Sequence, residues 1–360
     1  MEGAIKIKFK KLIKQTPIVK NMAWEAYYFV NYLKSNAPKT ACHYNELFIN
    51  SEGEIYPCCY TRGVSIMKIG HISDVDILKK IEHFDAYCVC SRVRFRKLLP
   101  TDNRRFKVVY IELSLDCQGA CAMCSVNAPS WHGKYDLYEP LAKFINSCHP
   151  EHLLVQGGEI LIQKESIKWL YDIKDKHPAL KISIVTNGNA NLNLIKTVED
   201  LFDWVAISIV GFEPETYRKI MGLDMGKTVA FAEELTKSGK TKVCLKYLIT
   251  PLNLHESNLF LRWAIKIAPR RVSICDANTS IYINDATEDK FWSKIIKRTS
   301  QDIKSELISS RTYLINTKTI IGLDFLTKKM FEINENFIKD NAMNNIVDIT
   351  NKSVSFVDFM

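Results

Sequence analysis

From residue 107 to residue 275, short apolar runs alternate six times with amphipathic stretches. The runs are 107–115, 152–156, 181–186, 203–209, 242–249 and 271–275. The stretches with helical spacing are 137–147, 164–176, 191–200, 214–220, 226–238 and 255–267. Apolar strands separated by helices call for a parallel sheet with helices packed over it. Six such units are too few to close an eight-fold barrel. The sequence therefore predicts an α/β fold, a partial (β/α)6 barrel of TIM type, with its site at the C-terminal ends of the strands.

The cysteines divide the chain further. Five of eleven lie in the first ninety residues, three at 117–124, and none after Cys275. The expected organisation is a small cysteine-rich module over 1–100, the partial barrel over 101–280, and a mostly helical C-terminal region over 281–360. Helical spacing in 289–309 and 323–340 supports the last. The polar stretch 100–105 is the expected boundary after the module. No apolar run reaches membrane-spanning length, and the lysine-rich start lacks the apolar core of a signal peptide. A cytoplasmic, membrane-free protein is expected. In that compartment many cysteines point to metal or redox chemistry rather than disulfides. The net charge of +9 is spread along the chain and gives no reason to expect a nucleic-acid partner.

Cys117, Cys121 and Cys124 follow the first apolar run directly. Thiolates bind soft metals, and a four-iron cluster held by three cysteines keeps one iron open for a ligand from outside the chain. Read as ligands alone, the three thiols also suit zinc with a fourth residue such as His132. The C-x3-C-x2-C spacing after a first strand resembles the signature of the radical SAM superfamily. That resemblance implies a 4Fe–4S cluster on Cys117, Cys121 and Cys124, with S-adenosylmethionine (SAM) on the fourth iron. Reductive cleavage of SAM would then give a 5′-deoxyadenosyl radical that takes hydrogen from a substrate.

Other segments carry the same resemblance. Gly157-Gly-Glu159 follows the second run, where the family has a GGE motif whose backbone meets the SAM amino group. Thr186-Asn-Gly188 ends the third run, and Ser208-Ile-Val-Gly211 ends the fourth, where the family uses the serine near the SAM ribose. The implied cofactor contacts are Met123, Gly157, Gly158, Glu159, Thr186, Asn187 and Ser208. Two positions depart from the pattern. Met123 stands where an aromatic residue is usual, and Val210 where an acidic one is; the ribose contacts then fall to Ser208 and Asn187.

The N-terminal module has its own pattern. Cys42 is followed by ten residues, Gly53, four residues and Cys58, and later by Cys88 and Cys90. Leu47–Tyr56 is predicted as a β-hairpin turning at Glu52-Gly53. This resembles SPASM and Twitch modules, and implies an auxiliary 4Fe–4S cluster on Cys42, Cys58, Cys88 and Cys90. The module precedes the barrel instead of following it, the last pair is C-x-C, and Cys59 competes with Cys58. Zinc on the same four thiols is the alternative reading.

SPASM-type enzymes often modify ribosomally made peptides. The resemblance implies a peptide or protein substrate undergoing epimerisation, crosslinking or oxidation, and an external reductant such as flavodoxin or ferredoxin. A dehydrogenase or mutase of a sugar-like small molecule is a second reading, and a non-catalytic iron–sulfur protein a third. Alternation along 242–249 and 271–275 places Cys244, Lys246, Ser273 and Cys275 on the inner face. Cys275, and after it Cys244, is the candidate hydrogen donor to a substrate radical; a buried thiol that only fills space is the alternative.

Overall fold

In the computed structural model of the chain, the structure describes residues 40–41, 46–84, 96–97, 106–128, 136–276 and 290–348, apart from positions 64, 125, 127 and 324. Cys42, Cys88, Cys90 and His132 lie outside these residues, as does the 100–105 boundary. The chain divides into two compact units. One holds the described residues up to Glu112 and those of 135–153; the other holds Leu113–Lys134 and everything from Leu154 onward.

In the first unit, β1 (Thr40–Ala41) pairs in parallel with β5 (Arg96–Lys97). β2 (Glu46–Ile49) and β3 (Glu54–Tyr56) form the predicted hairpin, with Phe48 opposite Tyr56 and Ile49 opposite Ile55. Asn50 builds its turn. The Asn50 carboxamide oxygen accepts from the Glu52 and Glu54 amides at 3.0 and 2.8 Å. Gly53, at φ +80°, closes it in a conformation that side chains disfavour. β4 (Gly70–His71) adds antiparallel to β3 and leads to α1 (Ile77–His83).

Hairpin strand β2 also pairs in parallel with β6 (Val108–Glu112), the first strand of the alternating segment. Both strands are apolar and almost wholly buried, so each has two covered faces. Glu112 ends β6 with its carboxylate buried. Arg62 meets it through Nε and Nη2 at 2.9–3.0 Å, and the Ser51 amide donates to it at 3.3 Å. Burial raises the Glu112 carboxyl above its ordinary range, and Arg62 opposes that shift. α2 (Tyr138–Cys148) belongs to the same unit, and β7 (His152–Gln156) straddles the division.

The second unit is a parallel ladder: β8 (Lys181–Thr186), β9 (Trp204–Ile209), β10 (Lys242–Ile249) and β11 (Arg271–Asp276), in that order. Its helices are α3 (Lys164–Lys176), α4 (Ile195–Leu201), α5 (Pro214–Met221), α6 (Met225–Ser238) and α7 (Ser257–Ile267). Their ends carry the expected chemistry. Pro214 opens α5, the Asp224 carboxylate caps the first amides of α6, and Gly222 and Gly239 end the two helices in the left-handed region. One face of the ladder is an apolar layer including Val205, Ile207, Leu245, Tyr247 and Ile274, all fully buried. α7 covers it, with Phe260 stacked on Tyr247 at 4.7 Å between ring centres. The α/β partial barrel of the sequence reading is the fold.

The C-terminal region differs from the helical expectation in one respect. Beside α8 (Lys290–Ser309), α9 (Arg311–Thr317), α10 (Phe325–Met330) and α11 (Glu335–Asp340), it contains two strands. β12 (Ile320–Leu323) and β13 (Ile346–Asp348) extend the ladder in parallel beyond β11, and β13 is its edge. Each has at most four residues, too short to show a period of two against the helical pattern around it. Their burial on the ladder sets their conformation.

Candidate functional site

The triplet loop leaves β6 and lies within the second unit together with the ends of β8 and β9. Two main-chain hydrogen bonds hold it: the Ala120 and Ala122 amides donate to the Met221 and Ile220 carbonyls, each at 2.9 Å. The last turn of α5 is therefore the platform for the cysteines. Gly222 turns away beneath Ala120, where a Cβ would sit 3.3 Å from the alanine methyl.

A second anchor joins the loop to the second strand end. The Glu159 amide donates to the Asp116 carbonyl at 2.7 Å. Gly158, at φ +26°, passes so close that a Cβ there would overlap the Asp116 carbonyl oxygen. This close approach explains the second glycine of the Gly-Gly-Glu segment.

The Glu159 carboxylate turns inward. It is buried and accepts three hydrogen bonds: from the Thr186 hydroxyl (2.7 Å), the Leu161 amide (3.1 Å) and the Asn187 amide (2.7 Å). Burial pushes its carboxyl upward, and the three donors pull against that. The side chain thus ties the second strand end to the third. Asn187 completes the link: its Nδ2 donates to Cys117 Sγ at 3.9 Å, and its Oδ1 accepts from Gln118 at 3.4 Å and from the Asn189 amide at 2.8 Å. Gln118, Ile220 and Met221 are positioning residues that sequence reasoning missed.

The three thiols are half-buried. Cys117 Sγ accepts from the Gly119 amide and Cys124 Sγ from the Ala128 amide, each at 3.4 Å. Burial pushes the Cys117 thiol up and the Cys121 thiol up to about 12, with the neighbouring sulfurs adding to the rise. Thiolates are soft-metal ligands, and amide donors aimed at sulfur, as on Cys117 and Cys124, suit metal-bound thiolates. This donor set fits an iron–sulfur cluster.

A profile of the radical SAM superfamily matches residues 111–264. The chain carries a radical SAM domain. No curated protein sequence matches the chain. Among solved structures, SuiB of Streptococcus suis bound to S-adenosylmethionine is 13% identical, with a TM-score of 0.44 over 60% of this chain and 50% of that one. Native anSMEcpe with bound AdoMet is 20% identical, with a TM-score of 0.40 over 47% and 52%. HydG, a maturase of the FeFe-hydrogenase, is 13% identical, with a TM-score of 0.40 over 93% and 69%. The chain spans about half the length of the SuiB and anSMEcpe chains.

The remaining candidates divide into three groups. Met123, Gly157 and Gly158 are half-buried along the triplet loop and the second strand end of the radical SAM domain. Ser208 shares a ladder face with Lys246, its register partner, and with Ser273 opposite Lys246 on the other side. Cys244 and Cys275 lie on that same face and are buried; the Cys244 sulfur is 3.6 Å from the Ser273 hydroxyl. Of the N-terminal four, Cys58 alone is described. It sits in extended backbone before the turn Cys59–Thr61, its sulfur 3.9 Å from the Thr61 hydroxyl.

Proposed function

We propose that the protein is a radical SAM enzyme acting on a ribosomally made peptide or a protein. The observation that carries the reading is the triplet loop. Three half-buried thiols with amide donors on two of the sulfurs are fixed by main-chain bonds to α5 and by Gly158 and Asn187 to the ends of neighbouring strands. Cys117, Cys121 and Cys124 hold a 4Fe–4S cluster whose fourth iron takes SAM. When bound and reduced, that pair supplies a 5′-deoxyadenosyl radical able to take a hydrogen atom from a substrate. Gly157 and Gly158 offer main chain to the SAM amino group, and Met123 its thioether to the adenine. Ser208 and Asn187 face the ribose. Glu159 and Thr186 act through their mutual hydrogen bond, holding two strand ends at fixed spacing.

The peptide reading rests on the N-terminal pattern. The hairpin that spaces Cys42 from Cys58 supports an auxiliary cluster on Cys42, Cys58, Cys88 and Cys90. Cys275, with Cys244 behind it, is the proposed hydrogen donor to a substrate radical, and a flavodoxin or ferredoxin the proposed reductant. In the anaerobically reconstituted protein with dithionite, SAM should be converted to 5′-deoxyadenosine. The variant with Cys117, Cys121 and Cys124 all changed to alanine should make none. Undiminished cleavage by that variant would sink the assignment.

A further inference from the structure

A second group of metal-ligating side chains, with no cysteine among them, lies in the loops after β9 and β10. Glu213, just before α5, and His255 and Glu256, in the turn Leu254–Glu256 before α7, bring one ligand atom each within 4.8 Å of one another. Glu213 and His255 are exposed, while the Glu256 side chain is fully buried.

The buried carboxylate is half-satisfied. Its Oε2 accepts from the Phe212 and Glu213 amides. Its Oε1 has no hydrogen-bond partner, and faces His255 Nε2 at 3.7 Å. A buried acceptor without a donor costs about 1–3 kcal/mol, and more when charged. Among the described residues neither carboxylate is ion-paired with a lysine or arginine. Two carboxylates share the space with one imidazole, and the wall behind them is apolar: Phe212 packs on Trp263 and Phe260 at 5.1 and 6.0 Å. Two carboxylates this close repel each other. A dipositive ion among the three groups removes the repulsion, satisfies Oε1 and leaves the site neutral. The two amides on Oε2 already orient Oε1, as outer partners of a ligand do in metal sites.

We propose that Glu213, His255 and Glu256 bind one divalent transition-metal ion, of the manganese or zinc kind, that pins the loop after β9 to the loop after β10. One nitrogen and two oxygens suit such ions, and three protein ligands leave a position for water. Manganese is the discriminating probe, since it prefers oxygen and nitrogen to thiolate. The anaerobic holoenzyme should be titrated with Mn2+ while the free-ion EPR signal is followed. One ion per chain should bind, at least about tenfold more weakly in His255→Ala and in Glu213→Gln, with the cluster absorbance unchanged in both. Mn2+ should also raise the melting temperature of the wild type more than that of either variant. The triplet-to-alanine variant should keep the site. Absence of saturable binding, equal binding by both exposed-ligand variants, or loss of binding with the three cysteines would each overturn the proposal. The first of these outcomes would leave a histidine–carboxylate pair only.

Discussion

Gly158 and Arg62 show how single side chains decide the local structure. A methyl at Gly158 meets the main chain of Asp116, which cannot yield without moving the first cysteine. Gly158→Ala should therefore lower stability by about 2 kcal/mol or more and reduce iron content after reconstitution; iron analysis beside thermal melting checks both. Arg62→Ala leaves the buried Glu112 carboxylate without its cation, at a cost of about 3 kcal/mol. Burial already holds the Glu112 carboxyl above its ordinary range, and loss of Arg62 raises it further. A group with a raised folded value contributes stability that is fully present below its unfolded value and is lost as pH rises through the folded one. The deficit of Arg62→Ala should thus shrink as pH falls toward the ordinary carboxylate range and widen toward neutrality. Urea unfolding of both proteins across that range measures it; a deficit independent of pH would contradict the pairing. Neither role was legible in the sequence, because both depend on neighbours 42 and 50 positions away.

At the level of elements, the strands 152–156, 181–186 and 242–249 and the helix 164–176 stand where their sequences put them. Each is an unbroken run bounded by polar or turn-forming residues, so local pattern and packing agree. The ladder strands Ile320–Leu323 and Ile346–Asp348 were illegible for the opposite reason: only their neighbours in the sheet make them strands. The pairing of β2 with β6 is likewise a contact across about sixty residues that no period announces. The triplet was plain as chemistry, yet its platform was not, since main-chain carbonyls of α5 leave no mark on residue identity. That platform predicts a particular failure. Ala122→Pro removes the amide that donates to Ile220 and should dislodge the third cysteine while the ladder remains folded. Far-ultraviolet circular dichroism should stay near that of the parent, while iron retention falls several-fold. Full iron retention would mean that the loop is held elsewhere.

For the molecule as a whole, the proposed division of labour between two sets of cysteines can be counted. The triplet-to-alanine variant should retain about four irons and four sulfides per chain after reconstitution; stoichiometric zinc, or no metal, would refute an N-terminal cluster. The ladder has another consequence, one of timing. The three thiols precede the edge strand Ile346–Asp348 by more than two hundred residues. At about 5–20 residues per second, a ribosome needs on the order of ten to forty seconds to make the intervening chain. Until then β12 and β13 cannot complete the sheet, and the cysteines are presented by an unfinished scaffold. Cluster delivery to a nascent chain therefore meets flexible thiols open to oxidation, whereas delivery after release meets the assembled platform.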